Sequence, residues 1–239
     1  MAAASVLASQ ARADVVAVDR ADQGWYAQTG AHFVGNQNTF TGLDSSNLFG
    51  TAPFGAYHFN SFFVFDVPTL SGPATAAAVN FYVSDLFNDN PVYQFTIFDV
   101  ATGAAALSAG HTSGDGAGQA IYADLGSGVS YASFDVQRFY RGQQFHVSLG
   151  AGALADISAH SGGAFAIGVS FTGTYQTSGG PEGVNFGFDG DPRARLVVGT
   201  GGSDISDQLA NPRSVPLPTG AALGAAGLGI LAIRRRRRA

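Results

Sequence analysis

Five histidines, sixteen aspartates and one glutamate are the residues of this 239-residue chain that could move protons near neutrality or bind hard cations. The histidines are His32, His58, His111, His146 and His160. Nucleophilic catalysis needs a Ser or Thr beside a His with an orienting acid, and no G-x-S-x-G elbow accompanies them. His58 and His146 fall on the polar faces of alternating segments, where a solvated imidazole is the ordinary outcome. Glycoside hydrolysis needs two carboxylates at a set separation. Glu182 is the only glutamate, and nothing in the spacing singles out one pair of aspartates. Cysteine is absent, which removes disulfides, thiol catalysis and Cys-based zinc sites. The expectation is a protein without catalytic residues.

Two loops suit a cation better than a substrate. "SDLFNDNP" carries Asp85 and Asp89, and "FGFDGDPR" carries Asp189 and Asp191. Hard oxygen ligands in Gly-rich loops are the chemistry of calcium, the one cofactor these residues point to. Neither loop has EF-hand spacing. Asp and Asn are also the usual turn residues, because their side chains bond nearby backbone. Both readings stand. Trp25 and Tyr26 are adjacent in "DQGWYAQTG", so on a strand one of them faces outward as a platform for a sugar ring. The competing reading is a core tryptophan beside an edge tyrosine.

The elements that would position such residues are strands. In "YHFNSFFVFDV", Phe59, Phe63, Phe65 and Val67 share one face, opposite His58, Asn60 and Asp66. Val79, Phe81 and Val83 alternate in the same way, as do Phe145, Val147 and Leu149, then Phe165, Ile167, Val169 and Phe171. "GVNFGFDG" and "ARLVVG" complete the set. Turn-forming clusters at "LSGPAT", "FNDNP", "GDGAGQ" and "GFDGDPR" separate these runs. The pattern predicts an all-β fold, an antiparallel β-sandwich of jelly-roll type over 14–200. Phe63, Phe65, Phe81, Phe95, Val147, Ile167 and Phe186 are its expected core. Within the body only the segment around Leu154 to Ala159 reads as helical.

Charge sorts the chain into regions. Lysine is absent, and the body between Asp14 and Arg213 holds six arginines against seventeen acids, a net charge of −11. A body so acidic repels phosphate backbones, which argues against nucleic acid as a partner. The remaining arginines are Arg12 and the run Arg234, Arg235, Arg236, Arg237 and Arg238. Before that run lie fifteen uncharged residues, 219–233, rich in Gly, Ala and Leu. As a helix they reach about 22 Å against a bilayer core of about 30 Å. Five guanidinium groups cross a bilayer at high cost, so they act as a stop-transfer cap that stays cytoplasmic. The expectation is a short C-terminal hydrophobic helix that spans the membrane transiently. At the other end, Ala11-Arg12-Ala13 followed by Asp14 has the small-residue pattern of a signal-peptidase site, so residues 1–13 read as a signal-peptide remnant. Residues 201–214 read as a polar linker.

Val215, Pro216, Leu217 and Pro218, then the apolar span, then the arginine run, resemble the PEP-CTERM class of bacterial sorting signals in its Val-Pro-Leu-Pro variant. The resemblance covers residues 215–239. It implies an exosortase-type membrane transpeptidase as a partner, removal of the helix, and delivery of the body to the cell surface or an exopolysaccharide matrix. Prolines 216 and 218 hold the motif extended, as a processing site requires. "FFVFDVPTLSGPATAAAVNFYV", and later "GSGVSYASFDV" with "ALADISAHSGGAFAIG", resemble the uncharacterised sandwich proteins that carry such tails. The implied function is that of a non-enzymatic, exported surface or matrix protein. The alternative is a carbohydrate-binding module, calcium-assisted through the aspartate loops.

Overall fold

The computed structural model describes residues 14–35, 37–44, 57–87, 90–175, 180–188 and 190–210. In chain order the first strands are β1 (Val15–Ala27), β2 (Phe40–Asp44), β3 (Tyr57–Asp66), β4 (Ala74–Tyr82), β5 (Asp85–Phe87) and β6 (Val92–Asp99). Helices α1 (Ala104–Leu107) and α2 (Gly116–Asp124) follow, then β7 (Ser130–Gln137), a 3-10 turn over Arg138–Tyr140 and β8 (Gln144–Ser148). Helix α3 (Ala151–Ala159) leads into β9 (Ala164–Phe171), β10 (Glu182–Asn185), β11 (Arg195–Thr200) and the short α4 (Ser206–Ala210). Every pairing between these strands is antiparallel. The fold is all-β, as the alternation predicts.

One sheet runs in the order β1-β11-β4-β8. The other is built on β3, which pairs β1 along one edge and β9 along the other, with β6 and then β7 beyond β9. The first residues of β3 pair β2 instead, which continues to β10 and β5. Strand β1 belongs to both sheets. Its first half pairs β11, and from Arg20 onward it pairs β3, with a bulge between Arg20 and Asp22. A strand that changes sheet at a bulge turns a corner, and here it brings the two inner faces together.

Aromatic rings fill the space between those faces. Phe81 of β4 lies 5.1 Å from Phe63 of β3, and Phe186 lies 5.2 Å from both Phe81 and Phe95. The seven residues expected as the core, Phe63, Phe65, Phe81, Phe95, Val147, Ile167 and Phe186, all belong to this one cluster, whereas Phe59 on the same face of β3 packs with Trp25 and Phe40 in another. Each such phenylalanine contributes about 1.5–3 kcal/mol by leaving water.

The second face of β3 departs from expectation. Instead of a solvated polar face, Phe62 and Val64 are buried under Leu107 of α1 and Ile121 and Leu125 at α2, together with Tyr26. Two helices therefore join α3, which does form where the sequence suggests. The "GDGAGQ" stretch, which reads as turn punctuation, is the cap and first turn of α2: the Asp115 side chain accepts a hydrogen bond from Ala117 N at 2.9 Å. Glycine is required there for another reason. A Cβ on Gly118 would stand 2.1 Å from the Gly30 carbonyl oxygen, so α2 lies backbone against backbone on the turn after β1. No described helix is long and apolar enough to cross a membrane, and the span expected at 219–233 lies outside the described residues.

Candidate functional site

Of the residues singled out by sequence, Val215, Pro216, Leu217, Pro218 and Arg234 to Arg238 lie outside the described residues, as do Ala11, Ala13, Asp89 and Asp189. Asp14 opens the described chain. Its backbone N–H donates to Thr200 Oγ1 at 3.3 Å, and its carbonyl accepts from Thr200 N at 2.9 Å. Asp85 accepts from Leu86 N at 2.9 Å and pairs with the Arg141 guanidinium at 2.8 Å. Asp191 accepts from Phe188 N at 2.8 Å, closing its own turn. Among the described residues no three His, Asp or Glu side chains converge as a metal site would require.

Trp25 and Tyr26 correct the reading of a sugar platform. Both are buried, at 1% and 0% exposure. They point to opposite faces, as strand neighbours must, but both faces are covered. Trp25 stands edge-on to Phe59 at 4.9 Å and to Phe33 at 6.0 Å. Tyr26 packs under the helices, and its hydroxyl donates to the Leu107 carbonyl at 3.0 Å. No ring face is left for a sugar.

Around Tyr26 the fold gathers titratable groups that no local motif announces. His32 and His111 face each other in an isolated antiparallel bridge, with backbone N–H to carbonyl distances of 3.0 and 2.9 Å in the two directions. The His32 ring stacks on Tyr26 at 4.6 Å, and His111 lies 5.8 Å from the same ring. His32 Nδ1–H donates to the Trp25 carbonyl at 2.8 Å, which leaves the lone pair on Nε2. Burial lowers the His32 pKa below its ordinary value, despite opposing help from that carbonyl and Asp22, and keeps the ring neutral. Tyr26 is pushed the other way: burial first, then the charges of Asp115 and Asp22, hold its hydroxyl protonated.

Two carboxylates complete the cluster. Asp115 Oδ2 accepts from His111 Nδ1 at 2.6 Å while its other oxygen caps α2. Those bonds, the one from His111 foremost, hold its carboxyl below the usual range. Asp22 accepts the Ser108 hydroxyl and, at 2.8 Å, the Gln37 amide. A cavity of about 320 Å³ opens beside the bridge, lined by His32, Phe33, Val34 and His111 among others.

The Asp115–His111 pair has the orienting acid and the base of a hydrolytic dyad. Its Nε2 is buried, and no described hydroxyl reaches it. What the cluster does here is fasten. Tyr26, Asp22, His32 and the Asp115 cap tie β1 and its turn to α1 and α2. Only the His111-x-x-x-Asp115 spacing was open to sequence; His32 lies far along the chain, and its role follows from the bridge. No family model matches this sequence, and no curated protein does.

Proposed function

We propose that the protein is a non-enzymatic, exported surface or exopolysaccharide-matrix protein, sorted and processed through residues 215–239 by an exosortase-type membrane transpeptidase. One observation carries this reading: the uninterrupted order of a Val-Pro-Leu-Pro motif, an uncharged span and five arginines. The described body supports it. Thr200 at the end of β11 is hydrogen-bonded to Asp14 at the start of β1, and the chain beyond it, expected as a linker from 201, packs back through Ile205 and Leu209 into one cluster with Val15 and Ala17 of β1. A body whose first strand and last described helix lie together suits a single attachment.

The strand order further supports a jelly-roll sandwich. Numbering β1, β3, β4, β6, β7, β8, β9 and β11 from one to eight, the sheets run 1-8-3-6 and 2-7-4-5. That is the order two nested Greek keys produce. Strands β2, β10 and β5 are additions along one edge. The sugar-binding alternative loses its platform with the burial of Trp25 and Tyr26, and no observation favours it.

Replacement of both prolines, Pro216→Ala with Pro218→Ala, tests the sorting reading in the native host. The variant should stay in the membrane fraction with its tail intact while the unaltered chain reaches the surface. Equal release of the two would refute it.

A further inference from the structure

One edge of the sandwich is left open. Strand β7 pairs β6 along one side, and no described strand pairs it along the other. The register shows which of its main-chain groups face outward. The Gln94 carbonyl accepts from Thr172 N at 2.9 Å, so the Gln94 main chain points toward β9 and away from β7. Its partner on β7, Asp135, therefore belongs to a pair without mutual bonds, and its N–H and carbonyl turn away from β6. By alternation Ser133 and Gln137 share that orientation. Tyr131 agrees, for its carbonyl accepts from Gly150 N at 2.8 Å on the same side. Past that bond, the outward main-chain groups of Ser133 and Asp135 have no partner among the described residues, and both residues are exposed.

Such an edge is a template for another strand, and neither proline nor lysine guards this one. Apolar residues mark its centre and both its ends. Phe134 lies at the centre, half-buried and stacked on Phe95 at 5.5 Å. Val129 and Phe139 stand at equal distances from it along the chain, 54% and 60% exposed. The Phe139 ring leans on Tyr140 at 4.5 Å, and Tyr140 on Phe145 at 5.2 Å, so the exposed ring is braced from the core. Beside Val129 the surface is flat because residue 152 is glycine: a Cβ there would stand 3.1 Å from Val129 Cγ1.

We propose that two copies of this chain pair antiparallel through β7, about a twofold axis at Phe134, and so join their sheets into one. In this register Ser133 of each copy lies opposite Asp135 of the other, and each of the two pairs exchanges both main-chain bonds. Moving the axis to Asp135 would set two carboxylates directly against each other, which is unfavourable. The axis at Phe134 also carries each exposed Phe139 toward the other copy's Val129 and the glycine surface beside it. The incoming strand ends at its Gln137, opposite Tyr131, where Gly150 already occupies the edge. An unrelated strand would satisfy the main chain alone; a second copy also matches the apolar residues at both ends. The contact is isologous, so association closes at the dimer. Both bodies are acidic, and salt that screens their repulsion strengthens the pairing.

Sedimentation equilibrium of the full chain in mild detergent tests this. The mass should rise with concentration to that of two chains and no further, more readily at about 0.1 M salt than at about 0.01 M, where the Debye length grows from about 10 Å to about 30 Å. D135P removes an outward donor that β6 does not use, so it should keep the parent circular dichroism and weaken association at least about tenfold. V129D/F139D, which leaves the strand itself untouched, should weaken it by a similar factor. The chain has no cysteine, so the register is open to cross-linking. S133C mixed with D135C should form a disulfide-linked pair across a Cα separation of about 5.5 Å, and S133C alone should not. A parent that stays monomeric or grows beyond a dimer would overturn the proposal. So would unchanged association in V129D/F139D, or linkage in S133C alone equal to that in the mixture.

Discussion

Phe95 shows how much of this protein's stability sits in single rings. It is fully buried, within 5.5 Å of Phe134 and Phe171 and 5.2 Å of Phe186. Phe95→Ala should cost about 3–5 kcal/mol, read from urea unfolding; a loss below about 1 kcal/mol would mean that the core collapses around the gap. The buried histidines make a second prediction. Burial lowers the pKa of both His32 and His58 below the ordinary 6.5. Between the lowered value and 6.5 the unfolded chain binds more protons than the folded one, so stability rises with pH. It is fully present above about pH 6.5 and is lost as pH falls toward the folded values. Melting temperature should drop across that window, with a shallower slope in His58→Gln; parallel slopes would exclude His58 as a contributor. The core phenylalanines were legible from alternation alone. Trp25 and the histidine cluster were not, because their surroundings are assembled from segments far apart in sequence.

At the scale of elements, period-2 alternation reports a strand with one wet face, and it located β3, β4, β8 and β9. It misjudged what lies against β3. Phe62 and Val64 share a face with His58 and Asn60, and only the packing of α1 and α2 explains why that face is apolar at one end. Those helices escaped notice because Gly116 and Gly118 look like turn residues, yet Gly118 is what lets α2 touch the Gly30 backbone. Asp115 then serves both elements, capping α2 and holding His111. Asp115→Ala should therefore lower stability through the lost cap, with some addition from the freed histidine. Hydrogen exchange should accelerate first in α2 amides such as Ile121. If exchange instead rises evenly across β3 and β9, the cap is not an independent fastening.

For the whole molecule, the described body is an acidic module of antiparallel sheets, and the proposed address rests on the tail sequence alone. The address is proposed from sequence because a sorting signal is a linear pattern, in which a motif, an apolar length and a charge run suffice to suggest it. The body's internal fastenings are not legible in that way, since groups such as Tyr26, His32 and His111 come together only when the chain is folded. The central claim is that the tail is temporary. It is tested most directly by intact mass and C-terminal peptide mapping of protein released from the surface of its native host. The account predicts a chain that ends at or before residues 215–218, lacks 219–239, and carries a net charge near −11. Recovery of a peptide with intact Ile230 to Ala239 from that material would contradict it and make the segment a permanent membrane anchor.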